Sequence, residues 1–366
     1  MKKVALVFLG DFFYDARCIN MALSLKRNYV VYVFSHYKKI HSHKSFDKIN
    51  FIKIQPSSFG ILRYWEHYNK TLRALRRHSF DTIIACDLYS LASSIYAKPK
   101  QKVVYDCREI YSALAAHQNK PIHRFLLSIY EKYFLKYVNN ALVTAETDLS
   151  YLKKKYSRCS NVDWQIIYNY PTNYSPQTKA NIYKLYNIPA NNKTILYQGV
   201  INRGRGVGQL IKLIAKTALY SAVIVGDGAY KKYYINLATS LNVLDRVHFV
   251  GKIPYLKLFE YTFACNVGWS VISKSSISYK FALPNKLFEY MLCGLPTVAS
   301  SLPNIQKIIL KHSAGEIVEN HCLSSQIKAV NRLCEAKIYS SNYRSVAKKY
   351  FTWDIQHKKF LQIIKG

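Results

Sequence analysis

Acidic residues are scarce in this chain: 20 Asp and Glu stand against 53 Lys and Arg, a formal charge of +33 over 366 residues. A field of that sign draws anions, so nucleic acid, an anionic lipid leaflet and phosphorylated substrates all qualify as partners. Paired cysteines are lacking too. The eight cysteines (18, 86, 107, 159, 265, 293, 322, 334) form no C-x-x-C pair and lie mostly in apolar runs, which predicts reduced core thiols in a cytoplasmic protein and argues against zinc ligands or a disulfide frame. No segment offers the roughly 20 uninterrupted apolar residues of a membrane-spanning helix, so any membrane contact is expected to be peripheral. The apolar run after Met1-Lys2-Lys3 is short and leads into Asp11 without a small-residue cleavage site; it reads as a first buried strand and not as a signal peptide. Repeats of solenoid period and low-complexity tracts are absent.

What is present is an alternation of short apolar strands with longer amphipathic helices, half of all residues being apolar. This predicts the α/β class with parallel sheets covered by helices on both faces, and a chain of this length fits two such domains. Strands are expected near 3–9, 29–34, 50–54, 81–86, 102–106 and 141–145, with helices near 15–27, 61–78, 88–97 and 122–138. A second strand series is expected at 194–199, 222–226, 247–251, 267–269 and 297–299. Turn formers between Asn169 and Asn192 mark a linker containing a short helix. The expected division is a first domain over 1–170, a linker over 171–193, a second domain over 194–350 and a Trp353-anchored helix over 351–366. Ligands of such sheets bind beyond the carboxyl ends of the strands, so two domains facing a cleft are anticipated.

Residues 282–303, ALPNKLFEYMLCGLPTVASSLP, place a lone acid, Glu289, on a short helix between Pro284-Asn285 and Gly294-Leu295-Pro296. The N–H groups at the start of that helix suit phosphate, and a carboxylate one turn further in could accept two hydrogen bonds from a ribose diol. An ordinary amphipathic helix is the alternative. Gly199-Val200-Ile201-Asn202-Arg203-Gly204-Arg205-Gly206 follows a strand and opens a helix; its glycines allow close backbone approach, and two guanidiniums stand where a pyrophosphate would lie. Such a loop is also compatible with a solvated turn. Val225-Gly226-Asp227-Gly228 and Val250-Gly251-Lys252-Ile253-Pro254 end two further strands, with turn chemistry and helix capping by Asp227 as the plain reading.

These segments resemble the donor-binding signature of the retaining glycosyltransferases of family 4, the group 1 glycosyl transferases of GT-B fold. Glu289 matches the second acid of that signature, Phe281 stands at the first, Arg205 falls at the Lys of its Gly-Arg-x-x-x-x-Lys-Gly segment, and Val200 replaces the usual Arg. In the first half, Gly10-Asp11, Asp15-Ala16-Arg17, Cys86-Asp87 and Tyr105-Asp106-Cys107-Arg108-Glu109 resemble the family's first loop, Asp-x-Arg pair, His-x-His-Asp and Tyr-Asp-Ser-His-Glu segments, with Arg108 in place of the histidine. Pairing of Asp106 with Arg108 is the structural alternative there. The resemblance implies a GT-B fold of two Rossmann-like domains. It implies donor-binding roles for Gly10, Asp11, Gly199, Gly226, Asp227, Gly228, Gly251, Lys252, Ile253, Pro284, Asn285, Lys286, Leu287 and Glu289. Catalytic roles fall to Arg203, Arg205, Arg108 and Asp87.

The expected function is therefore a metal-independent hexosyltransferase-type enzyme that transfers a sugar with retention from a nucleotide-sugar to a lipid-linked or surface-glycan acceptor, a polysaccharide or lipopolysaccharide. No cofactor and no metal are expected; Asp-x-Asp, which a metal-dependent transferase of the other common fold carries after a strand, does not occur. A non-catalytic subunit of the same fold, partnering an active transferase, is the rival, motivated by Phe281, Val200 and Arg108. A nucleic-acid binder is disfavoured because the basic residues are dispersed and no reading motif is present. Residues 61–78 set Ile61, Leu62, Trp65, Tyr68, Leu72 and Leu75 on one helical stripe with Arg63, Lys70, Arg73, Arg76 and Arg77 around it. That pattern fits either a helix lying in an anionic membrane surface or a domain helix burying its stripe. The expected placement is peripheral, on the inner face of the cytoplasmic membrane.

Overall fold

The computed structural model describes the chain apart from residues 42, 100, 160, 177, 336–339 and 366. Two compact units emerge: Met1–Asn169 together with Trp353–Gly366, and Tyr170–Thr352.

The first unit is built on β1 (Lys3–Asp11), β2 (Val30–His36), β3 (Ile49–Lys53), β4 (Thr82–Ala85), β5 (Lys102–Asp106), β6 (Asn140–Val143) and β7 (Asp163–Ile166), in the order β3-β2-β1-β4-β5-β6-β7. Every neighbouring pair is parallel. Val4, Ala5, Leu6 and Val7 of central β1 are fully buried, the continuous apolar run expected of a strand covered on both faces. β7 went unanticipated because Asp163-Trp164-Gln165-Ile166 alternates polar and apolar residues at a sheet edge, where only one face needs burial. The helix Trp353–Lys365 docks here: Trp353 Nε1 donates to Ser24 Oγ at 2.7 Å and Lys102 Nζ to the Ile363 carbonyl at 2.7 Å, with Phe360 and Ile364 buried.

The second unit carries β8 (Lys193–Gln198), β9 (Tyr220–Val225), β10 (Val247–Gly251), β11 (Val267–Ser270), β12 (Thr297–Ser300) and β13 (Gly315–Val318), again all parallel, in the order β10-β9-β8-β11-β12-β13. The α/β class and the two Rossmann-like units are as the alternation of strands and helices implied. The stretch 171–193, expected as a linker, belongs instead to the second unit: Ile182 and Ile188 are buried in a cluster with Leu196, Val223 and Tyr290. Its turn formers bend the chain without keeping its apolar residues in water. Gln177, within that stretch, lies outside the described residues.

At the carboxyl ends of β1 and β5 two ion pairs cross. Arg17, fully buried in the helix Ala16–Leu25, grips Asp106 through Nε (2.9 Å to each oxygen) and one terminal nitrogen (2.6 Å), and its other terminal nitrogen donates to the Ile167 carbonyl at 2.7 Å. Arg108 takes Asp15, with two contacts of 2.6 and 2.9 Å, and only approaches Asp106 at 3.6 Å. Asp15 also caps the helix by accepting from Cys18 N. Burial pushes the Asp15 carboxyl up, but the Arg108 charge and these hydrogen bonds outweigh it and leave the pKa below the usual range. The expected Asp106–Arg108 pair is thus present as the longer 3.6 Å contact, beside the closer Asp106–Arg17 and Asp15–Arg108 pairs. Breaking the buried member should cost most: Arg17→Ala leaves Asp106 in a dry site with only the longer Arg108 contact, and about 3–5 kcal/mol is the usual penalty for breaking a buried pair. Urea unfolding should register that loss, with a smaller one for Arg108→Ala, because Asp15 is a quarter exposed where Asp106 is sealed.

Candidate functional site

The site begins with two loops pressed together at the carboxyl edge of the second sheet. Gly226, at φ +143°, lies so close to Gly199 that an added Cβ would sit 1.9 Å from the Gly199 carbonyl oxygen. Gly199 N donates to Val225 O, and Ile201 N to Asp227 O, each at 2.9 Å. Gly206, at φ +85°, precedes the helix Val207–Lys216, and a Cβ there would meet the Val271 carbonyl at 2.0 Å. These positions require glycine both for backbone conformation and for space.

Facing the loops is the helix Asn285–Leu292, which no side chain caps at its Pro284 end. Its second residue, Lys286, is buried, with Nζ 3.9 Å above the centroid of the Tyr197 ring and, among the described residues, no hydrogen-bond partner. Burial, together with the Arg205 charge, drives the Lys286 pKa well below that of a free lysine, and Glu289 only partly compensates. Arg205 is half-buried, its guanidinium 4.8 Å over the Tyr279 ring, while the Tyr279 hydroxyl donates to the Arg203 carbonyl at 3.0 Å. The Arg203 side chain is exposed. A buried ammonium, a half-buried guanidinium and an uncapped helix amino end all attract a polyanion.

Glu289, three residues beyond Lys286, is buried and accepts a short hydrogen bond from Gln198 Nε2; Gln198 Oε1 in turn accepts from Thr262 Oγ1 at 2.9 Å. Burial pushes Glu289 up to about 7, against the opposing pull of Gln198 and the Lys286 charge. The carboxyl is oriented by a side chain that is itself held. Gln198 ends β8 and Thr262 lies on the helix Tyr255–Thr262. Sequence reasoning passed over both, and also Tyr197, because a Gln or Tyr at a strand end carries no motif.

The other expected donor residues occupy the same edge. Asp227 is exposed and accepts from Gly228 N at 2.9 Å, bending its own loop; the helix Lys231–Ser240 that follows has no side-chain cap, so the capping alternative for Asp227 is not what forms. Gly251 accepts from Gly226 N at 2.8 Å, Lys252 is exposed, Ile253 packs on the cluster around Tyr290, and Leu287 is buried in the core. Asn285 and Pro284 are half-buried at the helix start. Phe281, at the first acid's position, is half-buried and its carbonyl accepts from Asn304 Nδ2 at 2.8 Å.

Gly10, Asp11, Asp87 and Arg108 lie in the first unit. Asp11 accepts from Phe13 N at 3.1 Å and starts a short 3-10 turn; a Cβ on Gly10 would fall 2.7 Å from the Phe8 ring. Asp87 accepts from Leu9 N at 2.6 Å and Ser90 N at 2.7 Å, tying β1 to the helix Leu88–Ile95, and burial raises its pKa. Arg108 is held by Asp15 as described. Both residues expected to be catalytic in this unit are therefore built into its framework. Cys18, Cys86 and Cys107 are buried thiols, as expected, whereas Cys322 is exposed. Among the described residues no group of three or more His, Cys, Asp or Glu could hold a metal ion, and no helix is long and apolar enough to cross a membrane.

Residues 179–350, nearly all of the second unit, match the family model described as Glycosyl transferases group 1. Solved GT-B structures share the fold. Sucrose-phosphate synthase from Thermosynechococcus elongatus superposes with a TM-score of 0.80 at 18% identity, covering 100% of this chain and 98% of that one. HepE of Anabaena in complex with UDP and glucose gives 0.76 at 17% identity with both chains fully covered. WaaG, a glycosyltransferase involved in lipopolysaccharide biosynthesis, gives 0.72 at 17% identity, covering 99% of this chain and all of that one. No curated protein sequence matches the chain.

The raised pKa of Glu289 has a measurable consequence. Between the ordinary value of 4.5 and about 7 the folded protein holds a proton that the unfolded chain has released. This group's contribution to stability therefore falls as pH rises through that window and is constant above it. Glu289→Gln carries no such proton, so the Tm of the variant minus that of the ligand-free wild type should climb from pH 4.5 to 7 and then level off. A difference that stays flat with pH would disprove the assignment.

Proposed function

We propose that the protein is a retaining, metal-independent glycosyltransferase that takes a hexosyl group from a nucleoside-diphosphate sugar and delivers it to a lipid-linked or glycan acceptor of polysaccharide or lipopolysaccharide assembly. The observation that carries this reading is Lys286, a buried amine without a hydrogen-bond partner among the described residues, beside Tyr197 and Gly199 and within the fields of Arg205 and Glu289. A diphosphate would supply the missing acceptor, and Glu289, held by Gln198, would receive the ribose hydroxyls. As the bond from the anomeric carbon to the diphosphate breaks, charge develops on the departing oxygen; Lys286, Arg205, Arg203 and the helix amino end are placed to stabilise it. That HepE was solved with UDP and glucose and WaaG is described in lipopolysaccharide biosynthesis supports the donor and acceptor classes.

The acceptor class suggests work at an anionic bilayer, on the cytoplasmic side. Helix Gly60–Arg76 supports this in modified form. Its stripe is divided: Ile61, Leu62 and Trp65 are largely exposed, while Leu72 and Leu75 pack into the first unit's core. Arg63, Lys70, Arg73, Arg76 and Arg77 are exposed. A second reading, a non-catalytic binding subunit, draws on one observation: Arg108, where the family has histidine, is occupied by Asp15.

Thermal-shift titration with UDP, GDP and ADP should raise Tm with one of them, since a ligand of the folded state alone stabilises by mass action. Nucleotide affinity should drop by about 1–3 kcal/mol in Glu289→Gln, the scale of a charge-assisted hydrogen bond lost. Arg203→Ala and Arg205→Ala should each lower turnover, and the double variant should be non-additive because both serve one developing charge. Turnover should persist in excess EDTA. Tight nucleotide binding with no turnover on any lipid-linked or glycan acceptor would favour the binding subunit instead.

A further inference from the structure

The helix Pro121–Leu135 is amphipathic in the wrong sense for a helix in water. Ile122, Phe125, Leu126 and Ile129, spaced i, i+3, i+4 and i+7 on one face, are 50–76% exposed, and Tyr133 continues the stripe at 45%. Three of its polar residues, Arg124, Ser128 and Glu131, are turned toward the unit, beside buried Phe134 and Leu135. Buried Glu131 accepts from the hydroxyls of Tyr105 (2.7 Å) and Tyr156 (2.5 Å); Ser128 accepts from Lys155 Nζ at 2.9 Å; Arg124 Nε donates to the Ser112 carbonyl at 2.8 Å. A soluble helix buries its apolar residues and exposes its charges; this one buries Phe134 and Leu135 but also Glu131, and leaves Ile122, Phe125, Leu126 and Ile129 outside. An outward row of four large apolar side chains is the feature that marks a contact surface.

Two further observations identify what covers it. First, the stripe is rimmed by exposed Lys120, His123, Lys132 and Lys136, and the only acid on the helix is the buried Glu131. A second copy of this chain would bring two such basic rims together, whereas an anionic lipid surface neutralises them while its acyl boundary receives the apolar row. Second, the stripe has a neighbour. Helices Gly60–Arg76 and Pro121–Leu135 both pack on Leu88–Ile95, joined by the stacked pair Tyr64–Tyr89 at 4.6 Å and the Tyr96–Phe134 edge contact at 5.8 Å. The exposed end of the first helix, with Ile61, Leu62 and Trp65, is thus carried by the same three-helix group as the stripe.

We infer that helix Pro121–Leu135 is the principal apolar anchor of a two-helix surface that seats on an anionic bilayer, Ile122, Phe125, Leu126 and Ile129 entering the acyl boundary and the first helix contributing its exposed end and its arginines. This rests on the proposed membrane reading and changes its emphasis, since half of the Gly60–Arg76 stripe is committed to the core.

Trp65 supplies an intrinsic reporter: it is 67% exposed, while Trp164, Trp269 and Trp353, the other tryptophans of the chain, are buried. Phosphatidylglycerol-containing vesicles should shift its emission to the blue and phosphatidylcholine vesicles should not. The combined variant Ile122→Ser, Phe125→Ser, Ile129→Ser should keep the wild-type circular dichroism spectrum and lower vesicle partitioning at least ~10-fold, the scale expected when three apolar anchors leave the interface. Lys120→Glu with Lys132→Glu and Lys136→Glu leaves the apolar row intact and should weaken binding chiefly at low salt. A wild-type Trp65 shift that all these variants retain would refute the anchor while leaving the membrane reading in place. Absence of any shift or sedimentation with wild type would defeat both. A stable dimer in solution that the serine variant abolishes, with vesicle binding unchanged, would assign the surface to a second copy and overturn the inference.

Discussion

An ammonium buried without a counterion at hydrogen-bond distance governs the second unit. Removing a charge from water is expensive unless something replaces the lost hydration, and Lys286 has only the face of Tyr197 and the field of Glu289. The surrounding architecture keeps it there. A Cβ on Gly199 would lie 3.9 Å from Lys286 Nζ, Gly226 presses against Gly199, and Gln198 donates to the Glu289 carboxyl. A site of this kind is stabilised by an arriving anion, which is what the diphosphate of the proposed donor would supply.

The first unit solves the opposite problem. Its charges at the strand ends are closed on one another, Arg17 with Asp106 and Arg108 with Asp15, and Asp87 is consumed by two backbone amides. These pairs connect the helix Ala16–Leu25 to β5 and leave little free charge at that edge. Where the unit departs from ordinary burial is its surface, in the helix Pro121–Leu135, whose inward face is satisfied by tyrosines, a serine and backbone while its outward face is apolar. One unit thus carries its unmet charge inside and the other its unmet hydrophobicity outside. Both are departures from the consistency between local pattern and environment that folding alone favours, and such departures gather where proteins bind something.

Much of this was legible in the amino-acid sequence because it depends on local rules. Parallel strands buried on both faces appear as apolar runs, so β1, β2, β4–β6, β8, β9, β11 and β12 could be placed from composition and spacing, and the five-residue edges β3 and β10 were apolar enough to be placed with them. Glycines at φ +85° and +143° announce loops that nothing else can form, and the segment around Glu289 stands out by motif. The edge strands β7 and β13 were not legible, since an edge needs only half the apolar content and their four residues fall below any periodic signal. The segment 171–193 read as a linker because turn formers dominate it, although two isoleucines sufficed to tie it into the core.

Pairing and direction were decided only by tertiary structure. The sequence determined that Asp15, Arg17, Asp106 and Arg108 stand at two strand ends; which carboxylate takes which guanidinium depends on where the helix after β1 crosses β5, a distance no local pattern encodes. It determined that residues 61–78 and 122–138 form amphipathic helices, but a stripe carries no sign: periodicity says that one face differs from the other, not which face meets the sheet. In Pro121–Leu135 the inward face combines buried Phe134 and Leu135 with Glu131, to which Tyr105 and Tyr156, far along the chain, offer hydroxyls, and Ile122, Phe125, Leu126 and Ile129 are left outside. The same holds for Lys286, a single lysine in a motif until Tyr197, Arg205 and Glu289 enclose it.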